Sequence, residues 1–186
     1  MSGNTDMGAD AYTRYINGED TAMTELLSCY WDGLLWYLNS ILGNLHLAEE
    51  AAEEAFVKLA VQKPVFHKKS SFRTWLYAIG RNAAMDLLRK HRREQDLLSQ
   101  QNLTAAESAE AAFFREEQKL QLHHAMTQLK PEYRQVLYLR YFALFDHKET
   151  AKVMHKTTRQ IENLLYRAKI SLRKHLEKEG FVYEEL

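Results

Sequence analysis

The sequence predicts an all-α protein of two helical domains joined by a flexible linker. Three observations carry this. The 186 residues hold only 2 Pro and 7 Gly, too few for the many tight turns of a sandwich or barrel. Apolar residues recur at spacings of three and four along most of the chain. Between two such regions lies a stretch from Glu94 to Ala112 with no aromatic residue, where Gln, Ser, Asn and Thr mix with small side chains. That composition reads as a tether and a domain boundary. The division is 1–94, a linker over 95–118, and 119–186.

Each helix has its own signature. Residues 21–42 place Leu26, Leu27, Tyr30, Leu34, Tyr37, Leu38 and Ile41 on one stripe. Asp20 stands where an N-cap belongs, and Gly43 and Asn44 stop the helix. The second helix, about Leu47 to Gln62, carries Ala51, Ala55, Phe56 and Leu59 on one face and ends before Pro64. Ser71 opens the third, with Phe72, Trp75, Leu76, Ile79, Ala83, Leu87 and Leu88 in register to about Arg93. Beyond the tether, Phe113 to Leu129 is helical again. Pro131 suits the first turn of the next helix, with Tyr133, Val136, Leu137, Tyr141 and Leu144. Two close stretches follow, His147 to Met154 and Thr158 to His175, the latter capped by Thr157.

Composition excludes several classes. Lys plus Arg and Asp plus Glu are each 25, so the formal net charge is zero. That rules out a uniformly basic nucleic-acid binder and an acidic disordered tail protein. The single Cys29 cannot form an internal disulfide, which points to the reducing cytoplasm. No apolar run approaches the roughly 20 residues that span a bilayer, so no membrane insertion is expected. Met1 to Asp10 hold two Asp and no basic residue, unlike a signal peptide.

Neutrality hides segregation. Residues 1–61 carry 2 basic and 10 acidic side chains, and 62–93 carry 9 and 1. Residues 94–129 carry 2 and 6, 130–175 carry 11 and 4, and 176–186 carry 1 and 4. Two basic blocks alternate with acidic ones.

The C-terminal pair reads as a helix-turn-helix. Ile161, Leu164, Leu165, Ala168 and Leu172 form a buried stripe, and Arg159, Gln160, Asn163, Tyr166, Arg167 and Lys169 face away. A turn of His155, Lys156 and Thr157 precedes them. Such a helix enters a major groove, where Arg, Gln and Asn pair with base edges and surrounding cations meet phosphates. The plainer reading is a solvated face on a helical hairpin.

The central basic block interleaves Lys63, Lys68, Lys69, Arg73, Arg81, Arg89, Lys90, Arg92 and Arg93 with Phe66, Phe72, Trp75 and Tyr77. Cations beside rings suit single-stranded nucleic acid, whose bases stack while the backbone is neutralised. Phe72 and Trp75 share the apolar face and read as core. Phe66, in a loop, is open to either role. Glu49, Glu50, Glu53 and Glu54 crowd one side of the second helix. They make either a solvated face or a docking site for a basic protein partner.

The run AEEAAEEAFVKLA (48–60) followed by SSFRTWLYAIGRNAAMDLLRKHRR (70–93) closely resembles domain two of extracytoplasmic-function sigma factors of the sigma-70 family. LKPEYRQVLYLRYF (129–142) and QIENLLYRAKISLRKHL (160–176) resemble their domain four. The resemblance implies a bacterial factor that binds core RNA polymerase and directs it to promoter DNA. It implies that Glu49, Glu50, Glu53, Glu54 and Phe56 dock on the β′ clamp helices, with a second contact at the β flap. It assigns the −10 element to Phe66, Lys68, Lys69, Ser70, Arg81, Asn82, Asp86, Arg89, Lys90, Arg92 and Arg93. It assigns the −35 element to Thr158, Arg159, Gln160, Glu162, Asn163, Tyr166 and Arg167. An anti-sigma factor, if one exists, would be a separate chain. This chain departs from the pattern at Glu162, where Lys or Arg is usual, and at His155 and Lys156, where glycine and an apolar residue are usual.

The competing reading is a stand-alone helix-turn-helix regulator, which has no use for a second aromatic-rich basic block. An enzyme is the third. His123 and His124 are adjacent and point to different faces, Cys29 lies in an apolar helix, and no Gly-rich phosphate loop exists. No catalytic residue, metal, cofactor or small-molecule substrate is expected.

Overall fold

In the computed structural model of the chain, the residues described are 6–98, 122 and 124–178, with the side chains of 94–98 set aside. The α-helices whose bounds are described are α1 Met7–Ile16, α2 Thr21–Leu42, α3 Leu45–Val57, α4 Phe72–Leu98, α5 Pro131–Leu137, α6 His147–Met154 and α7 Thr158–Lys178, and residues 124–127 are helical too. A π-helical turn extends α3 over Lys58–Gln62 and another extends α5 over Tyr138–Phe142. No strand occurs among the described residues. The tether beyond Leu98, most of Phe113 to Leu129, and residues 179–186 lie outside the described residues.

Helix α1 was not expected from periodicity. Ten residues make a marginal helix, and it exists because it is pinned. Asp6 caps two helices at once: its Oδ1 accepts from the Ala9 N–H at 3.2 Å, and its Oδ2 accepts from the Phe72 N–H at 2.6 Å. The same carboxylate thus satisfies orphan donors on α1 and α4. The Tyr12 hydroxyl donates to the Pro64 carbonyl at 2.8 Å, and the Tyr15 hydroxyl donates to that of Ala60 at 3.1 Å. These bonds tie α1 to the segment entering the basic block.

Several helix ends differ from expectation. Asp20 makes no side-chain cap bond to α2, because its backbone is already helical. Asn44 ends nothing by itself. Gly43, at φ 63°, closes α2, and the Asn44 side chain caps α3 by accepting from the Leu47 N–H. Ser71 caps α4 as expected, its Oγ accepting from the Thr74 N–H. The helix runs on to Leu98, so the tether's first residues are helical.

Helices α1 to α4 share a core. Ala48, Ala51, Ala52 and Ala55 on α3 are fully buried. Their small side chains let α3 lie close to its neighbours. Against them pack Leu34, Tyr37, Leu38 and Ile41 of α2 and Phe72, Leu76, Tyr77, Ala84 and Leu87 of α4. Gly80 permits the α2–α4 approach, since a Cβ there would meet Leu34 Cδ1 at 2.8 Å. Helices α5 to α7 bury Val136, Leu137, Leu139, Val153, Met154, Ile161, Leu165 and Ala168.

The two units form one continuous core through an aromatic seat. Tyr37 stacks on Tyr77 at 5.4 Å and tilts against Tyr138 at 6.1 Å, while Phe145 meets Tyr77 edge-on at 5.0 Å. Burial raises the pKa of Tyr37, Tyr77 and Tyr138, with Arg73 pulling Tyr77 and Tyr138 back. Tyr37 is fully buried, and its hydroxyl has no hydrogen-bond partner among the described residues.

Asp6→Ala should lower unfolding stability by about 1–3 kcal/mol, read by urea titration. Two helix ends lose their acceptor together. Phenols raised in the folded state stabilise it fully below the unfolded tyrosine pKa of about 10, and that contribution is lost as pH rises through the folded values. Stability should therefore hold at neutral pH and fall above roughly pH 10. Tyr37→Phe should soften that fall and cost under about 1 kcal/mol at pH 7; an unsoftened fall would show that the core phenols do not drive it.

Candidate polymerase and nucleic-acid interfaces

Three surfaces carry the residues singled out from the sequence. The first is the outer face of α3. Glu50, Glu53 and Glu54 are exposed there and Glu49 is half-buried. Phe56 is different: it is 5% exposed, and its ring packs 5.8 Å from that of Trp31. It belongs to the core and cannot present its ring to a partner. The apolar residues on the outside are Val57 and Val61, 56% and 76% exposed. They follow Glu53 and Glu54 at helical spacing. Resemblance alone set Phe56 on this face; the helical spacing from Glu53 points to Val57.

The second surface is the loop 63–71 with α4. Lys63 and Lys68 adopt left-handed backbone, with φ 46° and 54°. Lys68 and Lys69 are exposed and Ser70 is half-buried. Phe66 does not stand free. Its ring lies 5.0 Å from Trp75 and 5.8 Å edge-on from Phe72, inside a cluster completed by Tyr12. Along α4, Asn82, Asp86, Arg89, Lys90, Arg92 and Arg93 are exposed and Arg81 is half-buried. Asp86 and Arg89 pair with each other one turn apart. Glu50 and Glu54 share an open cleft with Asp86, Arg89, Lys90 and Arg93, so the acidic helix borders the basic one.

The third surface is α7. Its buried stripe is Ile161, Leu165, Ala168 and Leu176, and Leu164 and Leu172 are half-buried. Arg159, Gln160, Glu162, Asn163, Tyr166 and Arg167 are exposed, and Thr158 is half-buried. The Thr157 Oγ1 accepts from the Gln160 N–H, and Gln160 Oε1 accepts from the Thr157 N–H at 2.8 Å. This reciprocal cap commits the Gln160 carbonyl to the helix start and leaves its amide nitrogen outward. Asn163 and Arg167 line a groove with Lys130, Tyr133 and Lys156. The turn needs no glycine, because His155 itself takes φ 53° and closes α6. Lys156 then pairs with Glu132 of α5 at 3.2 Å.

The second and third surfaces are not independent. Asn82 Oδ1 meets His155 Nε2 at 3.1 Å, and Arg81 Nε donates to Gln135 Oε1 at 3.3 Å. Lys152 Nζ donates to the Lys69 carbonyl at 2.7 Å. Ser71 and Thr74 hydroxyls contact Glu149, which also caps its own helix α6. Arg73, read at first only as one cation of the basic block, is the centre of this contact. Its guanidinium donates to the Ala143 carbonyl and lies 4.5 Å over the Phe145 ring and 5.6 Å over Tyr77.

Family comparisons agree with this geometry. Residues 26–94 match Sigma-70 region 2, and residues 119–172 match Sigma-70, region 4. The chain belongs to the sigma-70 family of RNA polymerase sigma factors, in its extracytoplasmic-function (ECF) group. It is 26% identical over 170 residues to the ECF RNA polymerase sigma factor SigW of Bacillus subtilis, covering 86% of this chain and 91% of that one. It is 28% identical to SigM of the same organism over 153 residues, covering 80% and 91%. Among solved structures, the sigma factor RpoE of Bartonella quintana, in complex with the anti-sigma factor NepR, shares the fold. The TM-score is 0.71 at 19% identity, over 83% of this chain and 96% of that one. CnrH, in complex with the cytosolic domain of CnrY, gives 0.64 at 20% identity, over 92% and 96%. Among the described residues, no helix is long and apolar enough to cross a membrane, and no group of three His, Cys, Asp or Glu could hold a metal ion.

Arg73→Ala should loosen the seat between the two units at a cost of about 2 kcal/mol, from one charge-assisted bond and two ring contacts. A larger radius of gyration by small-angle scattering and a split melting transition would show it. An unchanged radius and a single transition would remove Arg73 from that role.

Proposed function

We propose that this chain acts as an alternative sigma factor whose three surfaces serve core polymerase, the −10 element and the −35 element, and that domains 1–94 and 119–186 divide these tasks. The single observation that supports this best is the pairing, in one chain, of an aromatic-rich basic helix with a complete helix-turn-helix. A stand-alone regulator needs only the second.

In this reading, Glu50, Glu53 and Glu54, with Val57 and Val61, dock on the β′ clamp helices, the acids steering and the valines burying apolar area. Glu49 borders this patch. Phe56 supports it from within. Tyr141, Phe142 and Leu144, all exposed, supply the apolar face for the β flap. Lys68, Lys69, Ser70, Arg81, Asn82, Arg89, Lys90, Arg92 and Arg93 meet the −10 element, with Asp86 orienting Arg89. Phe66 shapes the loop from below. Arg159, Asn163, Tyr166 and Arg167 read the −35 element in a major groove, Thr158 borders them, and Thr157 and Gln160 set the helix start. The role is binding and positioning, without catalysis, in the cytoplasm. An anti-sigma partner, as in the neighbouring structures, would act on the same surfaces.

The contacts at Asn82, Arg81 and Lys69 occupy part of the −10 surface with α5 and α6. Promoter engagement in this reading requires the two units to part first.

Reversing Glu53 and Glu54 to Lys together should abolish binding to core polymerase while leaving the helical circular-dichroism signal intact. Undiminished binding would sink the docking assignment. Asn163→Ala and Arg167→Ala should each weaken −35 selection by about 1–3 kcal/mol, measured by transcription from promoter variants with core polymerase. Transcription from the promoter without this chain would overturn the sigma reading itself.

A further inference from the structure

Between Thr158 and Lys174 of α7, Glu162 is the only carboxylate, among Arg159, Arg167, Lys169, Arg173 and Lys174; the next, Glu177, pairs with Arg173 at 3.1 Å. Its side chain is exposed, on the second turn of α7, beside Asn163. A carboxylate on a groove-reading face is costly, since it confronts phosphates that the surrounding cations are there to neutralise. It does not pay its way by capping, for the cap of α7 is made by Thr157 and Gln160. On the neighbouring helix, His147 Nδ1, at the first position of α6, lies 3.8 Å from Glu162 Oε1. That separation is too long for a hydrogen bond and attracts the carboxylate only when the imidazole is protonated. The carboxylate's lone pairs stay available.

We propose that Glu162 is a specificity-determining residue that selects cytosine at one position of the −35 element, and that His147 is its positioning residue. The inference rests on the −35 assignment of α7. The chemistry follows from what base edges show in the major groove. Cytosine offers the N4 amino group as donor; guanine offers only N7 and O6 acceptors there, and thymine an O4 acceptor and a methyl group. Adenine offers an N6 donor, but its N7 acceptor sits beside it and repels a carboxylate. Cytosine is the one base that satisfies Glu162 without a penalty.

The test uses the full chain with core polymerase and a promoter library randomised across the −35 region, the transcribed templates being sequenced. The wild-type chain should enrich cytosine at one position by roughly fivefold or more. Glu162→Gln should move that preference to adenine, whose N7 and N6 match an amide, and Glu162→Lys should move it to guanine. His147→Ala should weaken the cytosine preference about twofold or more and leave preferences at other positions unchanged, which a merely structural role would not do. If Glu162→Gln and Glu162→Lys leave every preference as in the wild type while Asn163→Ala or Arg167→Ala shifts theirs, the cytosine proposal falls and the −35 assignment stands. If none of the four changes any preference, the −35 assignment falls with it. A cytosine preference untouched by His147→Ala removes His147 alone.

Discussion

The structure turns on a cation seated over a pair of touching rings. Arg73 leaves the first turn of α4 to lie over Phe145 and Tyr77, which meet edge-on, and its guanidinium donates a hydrogen bond to the carbonyl of Ala143. Phe145 is almost wholly buried there. Its burial is what docks the helix-turn-helix unit on the first four helices. The turn that carries it places Leu144 at φ 55°, a strained backbone for a branched side chain. That strain is held by the Phe145 N–H bonding back to the Leu139 carbonyl.

Electrostatics explains how two positive blocks can touch. Lys152 and Lys69 belong to different blocks, and like charges brought together repel. The cations instead find backbone carbonyls: Lys152 takes that of Lys69, Arg73 that of Ala143, and Arg134 that of Ser40 at 2.9 Å. Carbonyl oxygens carry no net charge, so these bonds by themselves leave the repulsion in place; the Glu149 carboxylate beside Ser71 and Thr74 offsets part of it. The contact is sealed by aromatic burial and opposed by like charge. In the proposed role, that balance suits units that must separate on a polyanion, where phosphates replace the carbonyls and the repulsion vanishes.

The same economy governs individual residues. Glu149 caps α6 and also meets Ser71 and Thr74; Asp6 caps α1 and α4; Gln160 lies on the reading face yet spends its carbonyl on a cap. Reading these side chains by type alone assigns each a single partner. The fold assigns several of them two.

Helix content, the two basic blocks and the helix-turn-helix were legible in the sequence because they depend on local spacing and composition. Ile161, Leu165 and Ala168 are buried as their period required, and the cap at Thr157 needs only its neighbour three residues on. What depended on distant partners was not legible. Phe56 shares a stripe with Ala51, Ala55 and Leu59, so its inward turn was legible, and only the resemblance set it on the docking face; that Val57 stays uncovered was decided by the packing of α3. Phe66 left its role open until Phe72 and Trp75 closed around it. Helix α1 needed Asp6 to reach Phe72, 66 residues away. Arg73 looked like any cation of its block until Phe145, beyond the tether, gave it a ring to lie on. Periodicity reports the face a helix must bury; it cannot report which other helix arrives to bury it, because that is set by contacts between residues far apart in the chain.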